Sequence, residues 1–540
     1  VLTQRMPSSG RLYLPNQWQW RFVVSLLLVL LGSFCLASRP ALAQSLKPEA
    51  VPSTVRSIQP YLNRVSRNIT EFRLDNGLKF IVLENHQAPI ISFVTYADVG
   101  GVDEPEGQTG VAHFLEHLAF KGTPKIGTED YAAERPLLDQ LDQLFDQIQA
   151  AKASGKTDRI KPLAQEFQAL KAKAATYVRQ NQFGQIVEQA GGVGLNAATS
   201  MDATRYFYSF PANKLELWMS LESERFLEPV FREFFEEKDV ILEERRLRLE
   251  NDPINRMLEE LRAVAFQVHP YRRSLIGYQA DIENLTRANV QDFFDTYYVP
   301  ANLTIAIVGD VNPQTVKRMA QAYFGRYPAA PKPPLLDKVE PEQTEPRELS
   351  LTMSTQPWYF EAYHAPAMAD RDYVIYELMG DLLSSGRTSR LYRTLVEQQQ
   401  IALAARGAVG YPANKYPNLM LFYALSAPGH DLDTIAKALQ QELERLKTEP
   451  VTANELERVK NQARASLLRS LDSTMGMASL LVDYEVKTGS WRNLFTEIDR
   501  IAAVTPADIQ RVARQTFRPE NRTVGRLLSE SSPLNRLNHQ

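Results

Sequence analysis

The chain writes one pattern twice, and that pattern limits the fold more than anything else in it. Thr286-x-Ala288-x-Val290-Gln291 followed by Tyr298-x-Pro300-x-Asn302-x-Thr304 returns as Thr505-x-Ala507-x-Ile509-Gln510 followed by Phe517-x-Pro519-x-Asn521-x-Thr523, every position displaced by 219 and none skipped. A threonine ahead of a helical run, a proline turn and a strand-like segment in the same order argue for two copies of one fold. Residues 328–346, between the copies, are rich in Pro, Glu and Lys and read as an extended linker. The predicted class is therefore α+β. A first domain spans 66–327 and a second 347–530, each closing with a helix, a proline turn and a strand, with a short tail at 531–540.

Only the first copy contains His113-Phe114-Leu115-Glu116-His117. On a helix the two histidines lie one turn apart on one face, so two imidazoles can hold one metal ion. Glu116 sits beside His117, placed to take a proton from water at that ion without using a ligand position. This is the geometry of a hydrolytic zinc site, with H-x-x-E-H inverting the commoner H-E-x-x-H. Many carboxylates downstream could supply a third ligand, among them Glu222, Glu224, Glu236, Glu237, Glu243 and Glu244.

Local patterns place this motif. Phe72 to Leu83 alternates around Asn76-Gly77, a hairpin signal, and a further strand is expected over 90–99. Gly107 to Gly110 then leads into the motif helix at Val111. Residues 131–181 read as a helical hairpin broken at Ser154-Gly155-Lys156, its apolar stripe carried by Leu137, Leu138, Leu141, Leu144, Phe145 and Ile148. A solvated pair resting on the domain is the reading preferred to a coiled-coil arm. The aromatic alternation after Gly191 predicts a strand pair, and one long helical stretch is expected from Lys214. His269, on a loop beyond it, is read as structural rather than as a further ligand.

A net charge of -3 and a pI near 6.3 leave no basic surplus, which argues against nucleic acid. At the N-terminus Arg5, Arg11 and Arg21 precede the apolar run Val23 to Ala37, and Ala41-Leu42-Ala43 follows as a small-x-small site. Residues 1–43 thus read as a secretory signal peptide and 44–65 as a lead-in. The expectation is export through the inner membrane to a bacterial periplasm, with no membrane contact after cleavage; an uncleaved anchor is the alternative. Cys35, the single cysteine, lies inside the apolar run after Phe34, a context that does not suit a lipid anchor.

Taken together, the motif, repeat and linker resemble the M16 peptidase family, in particular its bacterial members similar to the mitochondrial processing peptidase. The resemblance covers about residues 66 to 530. It rests on Gly101-Val-Asp103-Glu-Pro105, on Gly110 through Thr123, on Asn196-Ala-x-Thr-Ser and on Val240-Ile-Leu-Glu-Glu244. It implies two homologous domains, each an antiparallel sheet packed with helices, that enclose a chamber, and one zinc ion per chain. His113, His117 and Glu244 are then the ligands, Glu237 a supporting carboxylate and Glu116 the general base. It also implies that Asn196 and Ala197 lie on an edge strand that pairs with an extended substrate. The interval between His117 and Glu244 exceeds the family's usual one by about the length of the hairpin 131–181, which marks that hairpin as an insertion.

A second departure concerns the later half. The Arg and Tyr with which single-chain members complete the site fall here on Val396 and Leu403, neither a hydrogen-bond donor, although Arg390, Tyr392 and Arg393 lie close enough for a shifted register. The resemblance therefore implies a heterodimer with a second M16 subunit bearing that pair, a homodimer being the other possibility. The expected activity is zinc-dependent endoproteolysis of peptides or unfolded segments. The competing readings are a non-catalytic scaffold of the same fold and a processor of presequences.

Overall fold

The computed structural model describes residues 59–530; the signal-peptide reading, most of the lead-in and the tail lie outside the described residues. The last part of the lead-in is a helix, Gln59–Arg67. Its Leu62 is buried among Ile81, Leu83 and Trp491. Leu62 and Val65, three residues apart, give this short helix an apolar face that the proline-bearing composition obscures.

The first sheet contains β1 (Ile69–Arg73), β2 (Lys79–Glu84), β3 (Ile90–Ala97), β4 (Val193–Thr199), β5 (Thr204–Pro211) and β6 (Leu303–Gly309), in the order β1-β2-β6-β3-β5-β4. The second contains β7 (Arg347–Met353), β8 (Trp358–Ala365), β9 (Ala402–Tyr411), β10 (Asn418–Ser426) and β11 (Arg522–Ser529), in the order β7-β11-β8-β10-β9. Removing β1 makes the two orders the same. Neither sheet is purely antiparallel as expected: β2–β6 and β7–β11 are parallel pairs, because each closing strand returns through a helix and enters between strands formed earlier.

The repeated pattern has a structural cause. Thr286 and Thr505 are N-caps whose hydroxyl oxygens accept from the backbone N–H of Asn289 and Asp508, at 3.1 and 3.2 Å. Past the proline turn, Asn302 donates to the carbonyls of Tyr297 and Asp98 at 2.9 and 3.2 Å, and Asn521 donates to those of Thr516 and His364 at 3.0 and 3.2 Å. In each copy this asparagine ties the closing strand to the neighbouring strand.

Both faces of the first sheet are buried, so its central strands read as continuous apolar runs. Phe80, Val82, Phe93, Ile305 and Ile307 pack with helices of the first half. Ile81, Val94, Tyr96, Ala306 and Val308 are covered by Met477, Ala478, Leu481 and Val482 of helix Thr474–Thr488.

The hairpin consists of helices Tyr131–Ala153 and Thr157–Ala175, its base closed by an antiparallel bridge between Thr128 and Val178. It rests on the domain: Phe145 and Phe167 contact the ring of Phe235 at 5.2 and 4.8 Å, and Leu137, Leu141 and Leu144 join the main core. The single stretch expected from Lys214 is divided into Leu215–Leu227 and Phe234–Arg245. Pro229 lacks an N–H and disfavours helical backbone at Glu228, so the helix ends there.

Candidate metal centre

Helix Val111–Leu118 carries the motif. It starts at Gly110, where φ is +90° and a Cβ would lie 2.4 Å from the Ile276 carbonyl oxygen, so only glycine allows the chain to turn into the helix against that backbone. Glu104 accepts from the Ala112 N–H at 3.1 Å and occupies the helix N-terminus. Burial pushes its carboxyl group up to about 8.

His113, His117 and Glu244 offer ligand atoms that all lie within 4.8 Å of one another. Nε2 of His113 and Nε2 of His117 are 3.7 and 3.6 Å from the same Oε2 of Glu244. Ligands about 2 Å from a shared tetrahedral ion stand roughly 3.4 Å apart, so two imidazole nitrogens and one carboxylate oxygen fit zinc. Burial lowers the His113 pKa to about 3, which keeps this imidazole in the neutral, ligating form.

The surrounding groups orient that set. Burial opposes charge on His117, but the hydrogen bond to Glu237 together with the charges of Glu237, Glu244 and Glu116 outweighs it and raises the pKa; Nδ1 stands 3.0 Å from Glu237 Oε2. Lys121 binds the other oxygen of Glu237 at 2.5 Å and Glu233 at 3.1 Å. Despite its own burial, Glu237 is held below the ordinary glutamate range by His117 and Lys121. Arg248 reaches Oε1 of Glu244 at 2.8 Å. Glu116 accepts a short hydrogen bond from the Thr199 hydroxyl. Burial raises the Glu116 pKa, against the opposing effects of Thr199 and His117.

The structure thus brings His113, His117, Glu116, Glu237 and Glu244 together. Asn196 and Ala197 lie on β4, the last strand of the first sheet, paired with Phe207 and Tyr206 on its inner side. Val396 packs partly buried against the second core, and Leu403 is 51% exposed on β9. Arg390 is engaged by Glu455 at 3.1 and 3.2 Å. His269 lies outside the ligand group, its Nδ1 accepting from the Tyr271 N–H at 3.2 Å. Thr199, Lys121 and Arg248 received no role from the sequence. The signals were nevertheless present: Lys121 stands four residues beyond His117, Arg248 four beyond Glu244, and Thr199 three beyond Asn196.

Comparison with known families settles the lineage. Residues 79–135 and 169–279 match Insulinase (Peptidase family M16), and residues 284–463 match the Peptidase M16 inactive domain. The chain belongs to peptidase family M16. The interruption after residue 135 falls inside the helical hairpin, as an insertion into the M16 framework would. Among M16 relatives, the zinc protease PqqE of Helicobacter pylori is 28% identical over 83% of this chain and 90% of its own length. A probable mitochondrial-processing peptidase subunit beta of Arabidopsis thaliana is 24% identical over 82% and 75%. The crystal structure of a protease from Helicobacter pylori superposes with a TM-score of 0.71 at 26% identity, covering 85% of this chain and 99% of that one.

Proposed function

We propose that the chain is a zinc-dependent endopeptidase acting on peptides or unfolded polypeptide segments, with one zinc held by His113, His117 and Glu244. The observation that carries this reading is the convergence of three candidate ligand atoms with a half-buried carboxylate, Glu116, on the helical turn of the two histidines. When bound, zinc supplies a Lewis acid for water and for the peptide carbonyl. Glu116, with its raised proton affinity, takes the proton of the attacking water and returns it to the leaving amine. Thr199 fixes the position of that carboxylate, and Glu237 fixes the ring of His117.

An extended substrate would add to the free edge of β4 at Asn196 and Ala197. Val396 and Leu403 offer no donor, which supports completion of the site by a second M16 subunit. The subunit name borne by the Arabidopsis relative is consistent with such an arrangement. The residues at 5–43 favour export to the periplasm. Among the described residues, no helix is long and apolar enough to cross a membrane.

The deciding experiment measures metal content and peptide hydrolysis of the chain alone and mixed with an M16 subunit bearing the Arg/Tyr pair, beside Glu116→Gln. Zinc at one per chain and hydrolysis lost in Glu116→Gln support the endopeptidase. Activity confined to the mixture supports the two-subunit form. A zinc-bearing chain inert in every combination would leave the scaffold reading.

A further inference from the structure

Three arginines follow the third ligand closely, and they have different fates. Arg245 is buried, donating to Glu259 at 3.2 Å and to the Gly277 carbonyl at 2.7 Å. Arg246 is paired with Glu243 at 2.6 and 2.8 Å. Arg248 turns to the centre: its Nη1 is 2.8 Å from Oε1 of Glu244, and its side chain is 70% exposed where that of Glu244 is 15%. Oε2 of Glu244 faces both imidazoles, so the guanidinium holds the opposite oxygen, toward solvent. The backbone over Arg246–Glu250 widens into a π-helical turn, a distortion that frequently marks functional positions.

Guanidinium carries five N–H donors and stays charged at any working pH. One contact to Glu244 leaves the others open beside the ligand set. Two other cations are committed elsewhere: Lys121 bridges Glu233 and Glu237, and Arg390 is held by Glu455.

We infer that Arg248 is a catalytic residue, an oxyanion donor supplied by the metal-bearing half itself. The inference rests on the endopeptidase reading. As the water oxygen bonds to the carbonyl carbon, its proton passes to Glu116, and the carbonyl π pair becomes the oxygen anion that the open N–H groups of Arg248 receive. When the C–N bond breaks, that pair re-forms the carbonyl and the Glu116 proton goes to the amine. A partner subunit then aligns substrate and need not bring the cation.

The test compares the zinc-loaded wild-type chain with Arg248→Met and Arg248→Lys. Two probes are used: a phosphinic peptide, whose tetrahedral anion imitates the reacting centre, and the parent peptide amide, bound in a Glu116→Gln background. Arg248→Met is expected to weaken the phosphinic peptide about 100-fold, to leave the parent peptide within about twofold, and to retain one zinc per chain, with Arg248→Lys recovering part of the loss. Equal loss for both probes, or loss for neither, overturns the inference. Loss of zinc from Arg248→Met also overturns it, because the arginine then acts only as a tether for Glu244. Failure of the endopeptidase reading is seen separately, as a wild-type chain that holds zinc and binds neither probe.

Discussion

On the proposed mechanism, Glu116 is the residue whose replacement separates chemistry from metal binding. Glu116→Gln keeps the shape and removes the proton acceptor, so hydrolysis is expected to fall about 100- to 10,000-fold while zinc stays at one per chain, as read by metal analysis of the same preparation. Glu237→Ala has the reverse profile. It leaves Nδ1 of His117 without its 3.0 Å partner, and zinc affinity in chelator competition should drop about 10- to 100-fold. Glu104 carries a pH dependence. Its folded-state pKa is raised by burial to about 8 from 4.5, so the folded chain holds a proton that the unfolded chain releases. Its contribution is complete below about 4.5 and is lost as pH rises toward about 8. Thermal melts of Glu104→Gln beside wild type should show a flatter decline across that window. That His113 and His117 share one helix was legible from spacing alone, since i and i+4 share a face. Thr199 and Glu104 were not assigned roles, because their contacts join elements whose packing no local period encodes.

At the scale of elements, the hairpin after the motif helix braces helix Phe234–Arg245, which carries Glu237 and Glu244. Arg232, at the entrance to that helix, is buried and donates to Glu134 at 3.0 and 3.3 Å. It also donates to the carbonyls of Lys121 at 2.6 Å, Thr123 at 2.9 Å and Ile126 at 3.0 Å. One guanidinium thus joins the hairpin's first turn, the loop behind the motif and the approach to Glu237. Glu134→Ala would leave that cation buried and unpaired, a loss of about 3 to 5 kcal/mol. Denaturant titration should report it, and zinc affinity should weaken with it because Glu237 and Glu244 share the disturbed helix. Unchanged stability would mean that the hairpin is a passenger. Its two helices and their break were readable from period and from Ser154-Gly155-Lys156. Its docking site was not: amphipathicity shows that a face is covered without naming the cover.

Across the whole molecule the halves exchange cover. Helix Pro253–Ala265 of the first half buries Met257, Leu261 and Ala265 against Phe360, Ala362, Leu421 and Leu527 of the second sheet. Helix Thr474–Thr488 of the second half lies over the first. Asp202, at the β4–β5 turn, accepts from the backbone N–H groups of Asn414 and Lys415 at 3.0 and 2.8 Å and joins the turns of equivalent hairpins. The repeat announced two copies, but a displacement of 219 cannot say which copy's helix covers which sheet. From this exchange follows a shared stability. Leu481 is fully buried against the first sheet, so Leu481→Asp places a carboxylate among Ile81, Val94 and Ala306. Amide exchange in β3 and β6 should then accelerate although the substitution lies in the other half, and calorimetry should show one transition moved down rather than two transitions split apart. Acceleration confined to residues beyond 347 would mean that each sheet stands without the other's helix. The candidate metal centre, built against the first sheet, would then keep its affinity in the variant.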